Sequence, residues 1–281
     1  MSMQRLLFVS ATTLALLAIP SGTVRAQGKL EASYVASLAG IPLGKAVWLI
    51  DIGEDQFTAA ANGRTTGLLQ TFSGGRGIVT VQGSLTGGRP APARYTANII
   101  TDKKFDEVKM VMSGGNVKEF TAEPVSPPNP DRVPLSNSDR LGVLDPMSAS
   151  MVSVTGTGDV MSREACNRTL PIFDGRGRFD LVLTYKRMEQ VKAAKGYQGP
   201  ALVCAVTYRP VSGHRTNNSA VKYLTQAQDI ELWLAPINGT RILIPFRASV
   251  PTVLGAAVVE ATQFVSLAQT TRPTPTQLKT Q

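Results

Sequence analysis

The chain of 281 residues holds two cysteines and one histidine. So few soft or imidazole ligands leave little from which to build a zinc site, and no loop carries the acidic spacing of a calcium site, so no metal is expected. Aromatic residues make up only 6% of the chain and charged residues only 17%. No run of five like charges occurs, so any basic patch has to be assembled by folding, and no nucleic-acid partner is expected. Glycines cluster at Gly74-Gly75-Arg76-Gly77 without the lysine of a phosphate-binding P-loop or the spacing of a dinucleotide fold. That stretch reads as a turn or bulge between strands, and no cofactor is expected.

Long apolar runs are missing too, apart from residues 6–19, which fall short of the ~20 residues that cross a bilayer. With Arg5 before it, and Pro20-Ser21-Gly22 and Val24-Arg25-Ala26 after it, this run has the form of a cleavable secretory signal, residues 1–26. No cysteine stands at its end to be lipidated. The mature protein is therefore expected in the periplasm, starting near Gln27, with no transmembrane segment. Removing the signal takes away two arginines and leaves 27 basic and 20 acidic side chains, a formal charge of about +7. Such a protein meets anionic lipid, lipopolysaccharide or an envelope protein as partners, although a scattered excess of charge also serves plain solubility.

What is present is the composition of a mainly β globular protein: 43% hydrophobic residues, with 25 glycines and 18 prolines to punctuate short strands. Leu30, Ala32, Tyr34, Ala36 and Leu38 alternate with polar residues, and residues 45–52 and 56–63 continue the pattern as an antiparallel meander. Further strands are expected at 78–84, 94–101, 107–113 and 117–125. Residues 66–72 read as a helical turn ended by the glycines. The proline-dense stretch 124–140 is either a linker between two domains or a long crossing loop within one. Asp145 and Pro146 suit the N-cap and first position of a short helix over 146–154. Strands then resume at 169–173, 178–189, 201–209, 229–234, 240–246 and 256–265. Asn238-Gly239 marks a two-residue hairpin turn. Residues 27–269 are taken as a single β-rich domain, and 270–281 as a disordered tail.

Cys166 and Cys204 form the only possible pair in an exported chain, and a disulfide between them closes a loop of ~38 residues. A catalytic thiol would need a base, and His214 is the one histidine available. A hydrolytic triad could be drawn only from His214 with Asp174 or Asp180 and a serine such as Ser212 or Ser219. The plainer alternative is that His214 orders its Gly-flanked loop. Arg176 and Arg178 beside the Asp174–Gly177 turn could hold an anion. Arg178 and Asp180 also lie two apart on a strand, where they can pair within the sheet. Trp48 and Trp233 are candidates for an apolar binding face.

The order of "YVASLAGIPLGKA", "GVLDPMSA", Cys166, "DGRGRFDL" and "LVCAVTYRPVSGH" resembles the family catalogued as domain of unknown function 3108, found in bacterial envelopes. The motif positions are Tyr34, Gly40, Gly44, Leu144, Asp145, Pro146, Cys166, Asp174, Gly175, Arg178, Asp180, Cys204, Gly213 and His214. The resemblance spans about residues 34–264. It implies an exported protein whose antiparallel sheet curls into an open barrel or spiral, and it implies no established chemistry. The expected function is non-enzymatic binding of a lipid, an amphipathic ligand or a partner segment on a curved sheet. The alternative is a hydrolase of an envelope polymer using His214 and an acid.

Overall fold

The computed structural model describes residues 27–67 and 74–269. The signal 1–26, the tail 270–281 and most of the expected helical turn at 66–72 lie outside the described residues. Alternating burial converts the first half into a seven-stranded meander. Its members are β1 (Gly28–Leu38), β2 (Ile41–Ile52), β3 (Gln56–Thr65), β4 (Gly75–Thr86), β5 (Arg89–Thr101), β6 (Phe105–Ser113) and β7 (Asn116–Glu123). A crossing segment follows, containing the short helix α1 (Pro146–Ala149) and the two-residue strand β8 (Val152–Ser153). The second half holds β9 (Arg168–Phe173), β10 (Arg178–Lys192), β11 (Lys195–Gly196), β12 (Gln198–Ser212), helix α2 (Ser219–Gln226), β13 (Glu231–Pro236), β14 (Ile242–Thr252) and β15 (Gly255–Ala268).

β1 pairs with both β2 and β15, which joins the halves into one continuous sheet running from β7 through β1 and β15 to β9. The ladder does not close on itself, so the protein is a mainly β, open, curled antiparallel sheet with two short helices. The open edge is covered by the chain's own crossing segment. Leu144 forms a parallel bridge with Ile172, its amide donating to Pro171 O and its carbonyl accepting from Phe173 N, while Val143 N donates to Gly115 O. Phe120 of β7 meets Phe173 of β9 edge to face at 5.4 Å. An unpaired strand edge is an aggregation hazard, and this packing covers it.

The sheet buries two apolar layers. The inner one collects Trp48, Phe57, Met110, Phe173, Trp233, Phe246 and Phe264 inside the curl. The second lies on the opposite face of the C-terminal strands, where Leu183, Leu202, Cys204 and Leu234 pack under the segment carrying Val152 and Cys166. Burial on both faces explains why β13 and β14 read as continuous apolar runs instead of alternating ones.

Three local expectations change. The 146–154 helix stops at Ala149 because Val152 and Ser153 pair instead with Leu243 and Ile242. The Asn238-Gly239 hairpin exists but carries four loop residues, since Ile237 N donates to Ile242 O across it. There Asn238 donates from its amide and side chain to Ser266, so tertiary docking sets the turn. Ala39-Gly40 makes a two-residue turn, with φ of +49° and +81°, as Gly87-Gly88 and Gly114-Gly115 also do, and β2 accordingly starts at Ile41 rather than at Lys45.

Candidate functional site

The turn at Asp174–Gly177 fastens the two halves of the sheet together. Asp174 Oδ1 accepts from the amides of Arg176 (2.8 Å) and Gly177 (2.7 Å), which folds the turn on itself. Gly175 has φ +89° and lies so close to β6 that a Cβ there would stand 2.4 Å from Val108 Cγ1. From this position Arg176 reaches across to the ends of β6 and β7. It donates to Asp106 Oδ1 (3.1 Å), to the carbonyls of Glu123 (3.0 Å) and Pro124 (3.1 Å), and to Ser126 Oγ (3.2 Å). Arg178 donates to Asp180 Oδ1 at 3.2 Å. Its charge also acts on Asp139: burial pushes that carboxyl up, but the Ser136 amide and hydroxyl, the Ser212 hydroxyl and the Arg178 charge together outweigh it and hold the group low.

His214 lies on the loop that zips against residues 131–133, its carbonyl accepting from Val133 N at 2.9 Å. Its Nδ1 is buried without a hydrogen-bond partner. Among the described residues no hydrogen bond or ion pair links His214 to Asp174, Asp180, Ser212 or Ser219. Asp174 is occupied by its own turn and Asp180 by Arg178. Ser212 Oγ is buried and acts on the Asp139 carboxyl rather than on His214, and Ser219 opens α2 behind its Asn218 cap. No group of three or more His, Cys, Asp or Glu side chains is placed to hold a metal among the described residues.

Both tryptophans point into the filled interior of the curl. Trp48 is 9% exposed and Trp233 5% exposed. Trp233 Nε1 donates to Glu189 Oε2 (2.6 Å), and its ring lies between the guanidiniums of Arg247 (4.8 Å) and Arg187 (5.7 Å). Arg187 in turn donates to both oxygens of Glu231 (2.7 and 3.1 Å), and Lys186 pairs with the same carboxylate at 2.6 Å. The Arg187 guanidinium, aided by Lys186, draws Glu231 down to about 2. Cys166 and Cys204 are bonded, with Cα atoms 5.4 Å apart, and both are fully buried.

The feature that sequence reading missed is on the outer face of the first half. Register places Lys45 of β2 directly opposite Arg64 of β3, and Arg64 directly opposite Arg76 of β4. All three are exposed. None makes a hydrogen bond or ion pair among the described residues. Like charges directly opposite each other on adjacent strands are destabilising, so a row of three is an arrangement that folding alone does not favour. The row borders a hollow of ≈ 840 Å³ whose floor includes Val35, Val47 and Ile78. A second hollow of ≈ 600 Å³ continues along the same strands past Leu49 and Thr80 to Leu267 of β15, with Lys29, Asp51 and Arg94 at its rim. Parity was legible for Lys45 alone, since Arg64 and Arg76 lie beyond the expected strands 56–63 and 78–84 and join the sheet only because β3 runs to Thr65 and β4 starts at Gly75. The alignment of the three was not legible, because it depends on cross-strand register.

No helix of the described residues is long and apolar enough to cross a membrane. No curated protein matches the chain. Among solved structures, the "Beta-barrel-like Protein of Domain of Unknown Function DUF1849 from Brucella abortus" is similar at 8% identity and a TM-score of 0.47, over 86% of this chain and 98% of that one. The family model described as "Protein of unknown function (DUF3108)" matches residues 33–262, and the chain belongs to that family.

Proposed function

We propose that this is a non-enzymatic periplasmic envelope protein that binds an anionic amphiphile on the outer face of its curled sheet. The anionic head sits on the Lys45–Arg64–Arg76 row, and the apolar part lies along the hollow floored by Val47 and Ile78 towards the second hollow at Leu49. One observation carries this reading: three mutually repelling cations, unpaired among the described residues, stand in register at the end of an apolar groove. An anionic head relieves the repulsion, and the groove removes alkyl carbon from water at about 0.8 kcal/mol per buried CH₂. The filled interior leaves the outer face as the surface available to a ligand of this kind. The Cys166–Cys204 bond agrees with an oxidising compartment.

Calorimetric titration with dodecyl phosphate, against dodecyl maltoside as the uncharged control, tests the reading. Wild type should bind the phosphate more tightly. Arg64→Gln should weaken binding about fivefold, as expected if each cation contributes about 1 kcal/mol. Equal affinity for the two detergents, or for wild type and the Lys45→Gln, Arg64→Gln, Arg76→Gln triple variant, would contradict it.

A further inference from the structure

The end of the sheet nearest the basic row carries an exposed apolar tip. Two hairpins meet there, the Ala39-Gly40 turn between β1 and β2 and the turn at Val253-Leu254 between β14 and β15. They are held together by Ala39 N donating to Ala256 O at 2.9 Å, and by Gly255, where a Cβ would stand 3.0 Å from that of Ala39. Val253 is 83% exposed, Leu254 71% and Ile41 59%. Hairpin tips are ordinarily polar, because turn residues face water on most sides. Here Val253 and Leu254 stand on the turn itself and Ile41 opens β2, so the exposure of all three is set by the paired, hydrogen-bonded hairpins that carry them.

The position of the cations makes this tip more than a scattered apolar surface. Register sets Ile41 opposite Leu38 and Lys45 opposite Val35, three residues apart on β1 or about 10 Å at ~3.3 Å per residue, with a bulge between them that turns Ile41 to the other face of the sheet. Arg64 and Arg76 lie level with Lys45 across the sheet. Glu260 continues the same row beyond Val35, and its carboxylate faces Arg247 at 3.8 Å. Apolar side chains at the extremity with cations one step behind match the layering of an anionic bilayer. There, acyl carbon lies beneath the headgroups, and apolar insertion and electrostatic attraction add.

We infer that the protein docks end-on to an anionic membrane surface, with Ile41, Val253 and Leu254 inserted among the acyl chains and Lys45, Arg64 and Arg76 against the headgroups. This goes beyond the ligand reading, because docking needs no occupied groove. In this orientation the groove opens behind the tip, so that an amphiphile leaving the bilayer meets the cationic row first.

Co-sedimentation of the full mature protein with vesicles of phosphatidylcholine containing 30% phosphatidylglycerol, against pure phosphatidylcholine, tests the inference. Wild type should bind the anionic vesicles, and added salt should weaken binding by screening over a Debye length of ~8–10 Å. The double variant Val253→Ser, Leu254→Ser should lose at least tenfold in partitioning while titrating dodecyl phosphate like wild type. These two side chains are exposed, and an unchanged circular dichroism spectrum and melting midpoint would show that the fold is intact. The triple Lys45→Gln, Arg64→Gln, Arg76→Gln variant should lose about 100-fold, from about fivefold per cation. Vesicle binding by the double variant equal to wild type would overturn the inference. So would absence of vesicle binding by wild type, including the case where the tip instead mediates self-association removed by the same two serines. Loss of dodecyl phosphate binding with vesicle binding retained would overturn the ligand reading alone.

Discussion

Replacing Arg176 by alanine should loosen the join between the two halves of the sheet. The guanidinium makes one ion pair, with Asp106, and three further hydrogen bonds, to Glu123 O, Pro124 O and Ser126 Oγ. The Asp106 side chain is 45% exposed, so the ion pair itself is worth no more than about 0.5–1 kcal/mol. Each carbonyl bond adds about 0.5–1 kcal/mol, and water replaces the lost donors only in part, which brings the total to about 2 kcal/mol. For a domain of this size that corresponds to a fall of roughly 4–8 °C in melting midpoint. Urea unfolding followed by far-ultraviolet circular dichroism reads the change directly. Arg176→Lys retains the charge but not the fork and should recover less than half of the loss. Asp106→Ala should cost under about 1 kcal/mol, because the carbonyl bonds survive. If Arg176→Ala lies within about 0.5 kcal/mol of wild type, the latch is not a stabilising element and the reasoning fails.

The Cys166→Ala, Cys204→Ala double variant should lose about 4 kcal/mol, the chain-entropy value for a 38-residue loop, and wild type should resist alkylation when denatured without reductant. Labelling of native-prepared thiols, or a loss under about 1 kcal/mol, would refute that. Glu231, drawn below its ordinary range, contributes stability that is fully present above the unfolded carboxyl pKa and is lost as pH falls from about 4.5 towards about 2. Glu231→Gln should therefore lower the urea midpoint at pH 7 and flatten its decline between those pH values. An unchanged acid limb would be the contrary result. Asp145 behaves in the opposite sense. Burial raises its carboxyl, against the pull of Ser148 and the Met147 and Ser148 amides, so ionisation opposes folding as pH rises above the ordinary carboxylate range. Asp145→Asn should remove that cost at pH 7 while keeping the cap bonds from Met147 N and Ser148 N, whereas Asp145→Ala should lose about 1 kcal/mol or more. A stability of Asp145→Asn that falls with pH as steeply as wild type would count against this assignment.

Strand periodicity and the disulfide were readable because both depend on local pattern or on arithmetic. Leu30, Ala32 and Tyr34 face inward as their alternation requires, and two cysteines allow one pairing. The Asp145-Pro146 cap was readable for the same reason. Helix α2 was missed, although Asn218 before Ser219, with Val221 and Leu224 three apart, carries a helix-start signal. Ala39-Gly40 escaped notice because alanine rarely takes the positive φ that the docking against Ala256 imposes. What Arg176 does could not be read, because its partners lie about 50 to 70 residues away along the chain. The candidate site was invisible for a related reason: Lys45, Arg64 and Arg76 look like scattered surface charge until the register of three strands sets them in a row.

The central claim is that this row holds an anionic amphiphile, and native mass spectrometry of the exported protein, purified without detergent, tests it most directly. Wild type should carry an adduct with the mass of an anionic lipid, released by organic solvent, and the Lys45→Gln, Arg64→Gln, Arg76→Gln protein should be bare. A lipid-free wild type that also fails to take up added dodecyl phosphate, or an adduct retained undiminished by the triple variant, would contradict the account.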